Sequence, residues 1–238
     1  MTAAGENPYL PPEATGSAPG RGRLAGRRVL VVGAGTRPSP EPDPPIGNGR
    51  AIAVLAAREG ASVVCADRDE AAAEVTAGLV RAEGSRAAVV LADVADPKAC
   101  EAVVAESVEA LGGLDGLVLN VGFALGRGIT GTTAEQWDAT FAVNTRAHFL
   151  VSAAALPVLA PRSSIVYISS AASLRAATGA PSYDSSNQRP PAGAGRRRHQ
   201  LRLSPPWPAG EALGRRTGRG QSGRRRRPAR APRIPLTA

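Results

Sequence analysis

Residues 165–187 read IVYISSAASLRAATGAPSYDSSN, and the interpretation of the whole chain starts from this stretch. It opens with a run of four apolar residues, Ile165–Ile168, which is typical of a buried strand. Ser169 and Ser170 follow directly, and Tyr183 comes thirteen residues after the second serine. Ser170 and Tyr183 are therefore the first candidate site residues, whereas Ser169 is expected to be structural.

The chain before this stretch alternates apolar runs with helical patterns. The predicted strands are Arg28–Val32, Ser62–Ala66, Ala87–Leu91, Leu117–Asn120 and Ile165–Ser169. The predicted helices are Arg50–Glu59, Glu70–Glu83, Asp96–Leu111 and a long one from Thr132 or Thr133 to about Leu159. Strands this apolar predict a Rossmann-type, doubly wound parallel sheet in three α/β/α layers, with the ligand at the carboxyl ends of the strands.

The ends of the first four strands carry a set of motifs that occur in one order. They are Gly33 with Gly47-Asn48-Gly49, then Asp67-Arg68, Asp93-Val94 and Asn120-Val121-Gly122. Together with Ser170 and Tyr183, this set resembles the short-chain dehydrogenase/reductase family. The resemblance implies that these strand-end residues bind NAD(P) and that the enzyme transfers hydride between the cofactor and a small alcohol or carbonyl substrate.

The cofactor expected from the motifs is NAD, with NADP as the alternative. Glycines permit a tight turn and a close backbone approach to a pyrophosphate at a helix N-terminus. An acid at the end of the second strand, here Asp67, accepts hydrogen bonds from the ribose hydroxyls and disfavours a 2′-phosphate. Arg68 beside it could instead pair with that phosphate.

A proline-rich insert separates Gly33 from Gly47, which lie fourteen residues apart where the family has four. Prolines at 38, 40, 42, 44 and 45 predict a stiff, extended excursion over residues 38–45. We expect the insert to project outward from a turn that stays closed at its base. The alternative is a lid over the cofactor.

By resemblance, Tyr183 is the general acid/base, Ser170 hydrogen-bonds the substrate oxygen, and Asn144 holds a water of the proton relay. The family has a lysine four residues after the tyrosine, and this chain has Asn187 there. In the family that lysine lowers the tyrosine pKa and binds the nicotinamide ribose. An uncharged amide can do neither, so we expect turnover to be severely reduced or absent.

The resemblance ends at Asn187, and the composition changes with it. Residues 188–238 contain fourteen arginines and one acid, whereas residues 1–187 carry 15 basic and 19 acidic side chains. Pro190-Pro191 should end the helix that carries Tyr183, and no further strand is expected. Three interpretations stay open: a shifted reading frame, a disordered basic arm that binds nucleic acid or acidic surfaces, or an unrecognised folded segment.

The remaining composition predicts a cytoplasmic protein in three segments. Residues 1–22 should be a flexible leader, residues 23–187 the Rossmann domain, and residues 188–238 the basic tail. Cys65 and Cys100 are expected to be reduced packing residues with no metal site. Neither a signal peptide nor a bilayer-spanning stretch is apparent, and the resemblance allows a homo-oligomer.

The shifted-frame interpretation makes a prediction about the gene. A neighbouring frame of the coding DNA around codon 187 should encode a lysine-bearing helix and a continuation of the sheet. Reading the gene in all three frames tests this. If neither of the other frames contains them, the basic arm must be explained as a native segment.

Overall fold

The computed structural model describes residues 11–40, 45–173, 179–187 and 200–204. The strands are β1 (Arg28–Val32), β2 (Ser62–Asp67), β3 (Ala87–Leu91), β4 (Leu114–Leu119), β5 (Leu159–Ile168) and β6 (Gln200–Ser204). The helices are α1 (Pro12–Thr15), α2 (Asn48–Arg58), α3 (Glu70–Ala82), α4 (Pro97–Leu111), α5 (Ala134–Phe141), α6 (His148–Ala155) and α7 (Pro181–Ser186). No helix in these ranges is long and apolar enough to cross a membrane. The predictions for residues 1–10, 41–44 and the rest of the basic tail lie outside the described residues.

The strands form one parallel sheet in the order β3-β2-β1-β4-β5-β6. Successive residues of β1 face opposite sides of it. Val29 and Val31 pack with Ala53 of α2 and Val80 of α3, while Leu30 belongs to the core that includes residues of α4 and α6. The prediction of a three-layer Rossmann-type fold is confirmed.

The sixth strand was not expected, because the sequence analysis predicted no continuation of the sheet after Asn187. Gln200–Ser204 pairs in parallel with β5, with Leu201 opposite Ile165 and Leu203 opposite Tyr167. Its signal is a two-residue alternation, QLRLS, within an arginine- and proline-rich tail. A strand at a sheet edge needs little apolar sequence, so composition alone missed it.

The long helix predicted to reach Leu159 is also different in the structure. α5 runs into a π-helical turn, Ala142–Ala147, which continues as α6 and ends at Ala155. Leu159 instead begins β5, whose course is irregular near Arg162, a residue with φ +66°. The apolar run before Pro161 fits a buried helix or a buried strand equally well, so periodicity could not fix the boundary.

The end of the predicted flexible leader, residues 11–22, has defined contacts in the structure. The Glu13 side chain is buried and pairs with the Arg21 guanidinium at 2.7 Å, and Arg58 donates to the Glu13 carbonyl oxygen at 2.7 Å. Glu59, at the C-terminal end of α2, accepts the backbone N–H groups of Arg21 and Arg23. Ionic and backbone hydrogen bonds order this segment, whereas the prediction considered only apolar burial.

Both cysteines are free and buried, as predicted. Burial raises the pKa of the Cys65 thiol to about 12 and that of Cys100 to about 11. The Cys100 thiol donates to the Val94 carbonyl oxygen at 3.3 Å. Both side chains therefore act as uncharged packing groups of the two core layers.

The contacts of Glu59 predict a pH dependence of stability. Hydrogen bonds, first from the Arg23 guanidinium at 2.7 Å, lower the pKa of Glu59 from its ordinary 4.5 to about 2. A carboxyl with a lowered folded-state pKa stabilises the fold fully above about pH 4.5 and loses that effect as the pH falls toward 2. We expect Glu59→Gln to lower the Tm at pH 6 and to flatten its decline between pH 6 and pH 3, measured by circular dichroism.

Glu106→Gln is the matched control, since Glu106 is exposed on α4 and has no ion pair among the described residues. Its Tm should follow the wild-type dependence on pH. A Glu59→Gln curve parallel to that of the wild type would contradict the assignment.

Candidate functional site

A cleft lies at the carboxyl ends of β1 to β4. It is lined by predicted cofactor residues that come from four separate loops: Gly33, Asp67, Arg68, Asp93, Val94, Asn120 and Gly122. The strand order reverses between β1 and β4, and loops diverge at such a point to leave a crevice. The structure therefore brings most of the predicted cofactor residues together.

The glycines of the first turn are required by close backbone contacts. Gly33 has φ +83°, and a Cβ there would lie 2.9 Å from the Val121 nitrogen. A Cβ on Gly49 would lie 1.9 Å from the Gly33 carbonyl oxygen. Gly47 has φ +81° and is the N-cap of α2, with no side chain to cap the helix. Gly47, Asn48 and Gly49 do not line the cleft themselves, but they begin the helix that packs against Gly33.

The base of the proline-rich insert is closed, as predicted. The Thr36 hydroxyl donates to the Ile46 carbonyl oxygen at 2.5 Å, joining the two ends of the insert. Arg37 and Pro38 line the cleft, which the sequence analysis did not foresee. Their position next to Gly33 and Gly35 along the chain was the available signal. The lid alternative depends on residues 41–44, outside the described ranges.

Asp67 contacts the glycine-rich turn directly. One carboxylate oxygen accepts the Gly35 N–H at 2.8 Å, and the other accepts the Asp69 N–H at 3.1 Å. A carboxylate has about four lone-pair sites, so acceptor capacity remains for a ligand. Asp67 thus holds the turn and also faces the cleft.

Three side chains hold the turn at residues 120–123, which forms one wall of the cleft. The Asn120 amide donates to the Gly33 carbonyl oxygen at 2.8 Å. Asn144 bonds both the N–H and the carbonyl oxygen of Phe123. His148 Nε2 lies 3.1 Å from the Val121 carbonyl oxygen. Sequence analysis missed His148, because a lone histidine in an apolar helix carries no distinguishing pattern.

Asn144 lies in the π-helical turn, and its amide is fully engaged on the donor side. Nδ2 donates to the Phe123 carbonyl oxygen and to the Ser186 hydroxyl, both at 2.9 Å, while Oδ1 accepts the Phe123 N–H at 3.0 Å. A primary amide has two donor hydrogens. Any water at this residue would therefore have to donate to the remaining Oδ1 lone pair or to the backbone carbonyl.

Ser170 and Tyr183 are not among the described residues that line the cleft. Ser170 follows β5, and its hydroxyl accepts the Ala172 N–H at 3.2 Å. Tyr183 is half-buried on α7, which the Ser182 hydroxyl attaches to the Leu125 carbonyl oxygen at 3.1 Å. Residues 174–178 between them are not described.

Asn187, where the sequence resemblance predicts a lysine, caps α7. Its side-chain amide donates to the Tyr183 carbonyl oxygen at 2.8 Å, and its own carbonyl oxygen accepts the Ser169 hydroxyl at 3.1 Å. The amide thus folds back onto the helix. It adds no charge to the site.

The parallel sheet, its strand order and the glycine-lined cleft define a Rossmann-type α/β protein. The family model described as enoyl-(acyl carrier protein) reductase matches residues 46–188, more than half of the chain. The chain belongs to the short-chain dehydrogenase/reductase family, whose members use NAD or NADP. The match begins at the end of the insert and stops one residue after Asn187.

Individual relatives agree with this assignment. The short-chain dehydrogenase/reductase eriH of Hericium erinaceus is 43% identical over 108 residues, covering 44% of this chain and 43% of its own. The 2,5-dichloro-2,5-cyclohexadiene-1,4-diol dehydrogenase LinX of Sphingobium indicum is 34% identical over 163 residues, 68% of this chain and 61% of its own. The chain spans about half the length of most curated relatives it matches.

Solved structures show the same fold. A short-chain dehydrogenase from Mycobacterium smegmatis has a TM-score of 0.65 at 28% identity, covering 72% of this chain and 69% of that one. A short-chain dehydrogenase from Burkholderia cenocepacia, in complex with NADP, has a TM-score of 0.60 at 31% identity, covering 70% of this chain and 64% of that one.

The contact between Gly49 and Gly33 predicts a pair of opposite mutational effects. Gly49→Ala places a methyl group against a backbone oxygen and should lower the free energy of unfolding by more than about 2 kcal/mol. Gly78→Ala, in the exposed interior of α3 with open space around it, should raise it by about 0.5–1 kcal/mol. Urea unfolding measures both, and a tolerated Gly49→Ala would refute the close approach.

Proposed function

We propose that this chain binds NAD in the cleft at the ends of β1 to β4, and that the activity of its fold is hydride transfer between NAD(P) and a small alcohol or carbonyl compound. One observation carries the proposal. Predicted cofactor residues from four loops line a single cleft. In the glycine-rich turn beside it, Gly33 and Gly49 lie so close to neighbouring backbone atoms that neither position has room for a Cβ. This fits a dinucleotide, which needs backbone contact at its phosphates and an acid at its ribose.

The residues present fit the parts of a bound cofactor in turn. The uncapped N-terminus of α2, after Gly47, would receive the pyrophosphate. Asp67 would accept the adenosine ribose hydroxyls with its remaining lone pairs, and Asp93-Val94 would lie beside the adenine. The Asn120–Gly122 backbone would lie beside the nicotinamide ring, which supplies the hydride acceptor or donor when it is bound.

The proposed catalytic set is Tyr183, Ser170 and Asn144. Tyr183 would exchange a proton with the substrate oxygen, which the Ser170 hydroxyl would orient. Asn144 would act by anchoring the turn at Phe123 and the helix at Ser186, as its hydrogen bonds indicate.

We further propose that turnover is very low, because position 187, where the resemblance predicts the family's lysine, holds a residue without charge. Asn187 is neutral and bonds the Tyr183 carbonyl oxygen. The single lysine of the chain, Lys98, lies in the first turn of α4.

NADP is the second candidate cofactor, and one observation favours it. Arg37 and Arg68 both line the cleft with Asp67, so two guanidinium groups are available to a 2′-phosphate. If the wild type binds NADPH more tightly than NADH, the variants Arg37→Ala and Arg68→Ala should bind NADH more tightly than NADPH. If NADH binds more tightly, Asp67 dominates the selection.

The test is a fluorescence titration of the full chain with NADH and NADPH. Saturable binding is expected, and Asp67→Ala should weaken it by about tenfold or more, because the ribose loses a charged acceptor. Asp138→Ala, exposed on α5, is the control and should bind as the wild type does. An absence of binding to both cofactors would reject the proposal.

The activity prediction concerns Asn187. Neither the wild type nor Asn187→Lys should show NAD(P)H-linked turnover near that of an ordinary dehydrogenase on a panel of small alcohols and ketones, because the family match also ends at residue 188, before the segment from which family members build the substrate pocket. Ordinary rates in the wild type would reject the proposed defect. Full recovery of turnover in Asn187→Lys would show that the missing charge alone accounts for the defect.

A further inference from the structure

His148, the first residue of α6, is a buried histidine that the proposed chemistry does not use. It is 8% exposed, and its Nε2 lies 3.1 Å from the Val121 carbonyl oxygen. A carbonyl oxygen can only accept, so Nε2 must carry the hydrogen. Burial lowers the pKa of His148, and the ring is therefore neutral near pH 7, with Nδ1 unprotonated.

A small polar network lies beside His148 inside the core and engages its backbone carbonyl oxygen, not its ring. The Ser152 hydroxyl donates to the His148 carbonyl oxygen at 2.7 Å, and the Tyr167 hydroxyl lies 2.6 Å from the Ser152 oxygen. Since the hydrogen of Ser152 is already donated, Tyr167 donates to it. The Tyr167 ring also packs against the imidazole, with centroids 6.0 Å apart. The imidazole itself thus has two described contacts, the Tyr167 ring and the Val121 carbonyl oxygen to which it donates.

The acceptor, Val121, belongs to the wall of the cleft. Its backbone nitrogen is 2.9 Å from the position of a Cβ on Gly33, so the turn lies directly against the glycine-rich loop. Asn120 and Asn144 hold the residues on either side of Val121. Within the described part of the chain, the Val121 carbonyl oxygen has His148 as its one hydrogen-bond donor.

We propose that His148 is a positioning residue of the cleft: by donating to the Val121 carbonyl oxygen from the core side, it fixes the peptide plane that borders the cofactor. The consequence for cofactor affinity rests on the proposed function. The effect of His148 on the rigidity of the turn at residues 120–123 is independent of the proposed function.

The test compares two amides that differ by one methylene. His148→Gln can place its N–H groups near the position of Nε2, whereas His148→Asn is too short to reach Val121. Tyr167→Phe is the control, because it removes a hydroxyl from the same core network without touching the turn. Hydrogen–deuterium exchange over residues 120–124 is the first readout, and the Kd for NADH is the second.

His148→Asn should speed exchange across the turn and weaken NADH binding about tenfold, while His148→Gln stays near the wild type in both. Tyr167→Phe should lower the Tm but leave the exchange of the turn and the Kd unchanged. Unaltered exchange in His148→Asn, or equal loosening in Tyr167→Phe, would overturn the proposal. If the wild type binds no NADH, the proposed function fails while the exchange comparison still decides this inference.

Discussion

The cleft depends on the Gly33 carbonyl oxygen. This oxygen occupies the space that a Cβ at position 49 would need. Because Gly49 has no Cβ, the first turn of α2 packs directly against the residue that follows β1. The Asn120 amide donates to the same oxygen at 2.8 Å and draws in the turn that follows β4. One acceptor atom therefore joins three elements that are distant in sequence. The contact is kept despite the insert between Gly33 and Gly47, because the Thr36 hydroxyl bonds the Ile46 carbonyl oxygen across the base of the insert.

The opposite side of the same turn is fixed by the segment between α5 and α6. Asn144, in the π-helical turn, binds Phe123 through both backbone groups and Ser186 through its second amide hydrogen. Ser186 lies on the helix that carries Tyr183, and its carbonyl oxygen accepts the Thr145 hydroxyl. The wall of the cleft and the helix that carries Tyr183, the proposed acid/base, thus share an anchor. A disturbance of either is expected to reach the other through Asn144.

The family resemblance ends at the same place as the helix α7. The family match stops at residue 188, and α7 ends at Ser186 with Asn187 as its cap. The Asn187 side-chain amide donates to the Tyr183 carbonyl oxygen, so its described contact is within its own helix. The sheet nonetheless gains β6 beyond this point, since backbone pairing with β5 needs no particular side chains. The chain thus retains the architecture of the family, with a neutral asparagine at the helix end where the sequence resemblance predicts a lysine.

The sequence by itself determined the features that depend on local pattern. β1 and β3 have the predicted bounds, the caps at Asp96 and Thr133 begin their helices, and the glycines mark turns that allow no Cβ. Tertiary structure decided the rest: the ordering of residues 11–22 by Glu13 and Glu59, the strand at 200–204, and the bond from His148 to Val121. The physical reason is that charge pairs, edge pairing and a buried donor join residues far apart along the chain. Neither periodicity nor spacing records such partners.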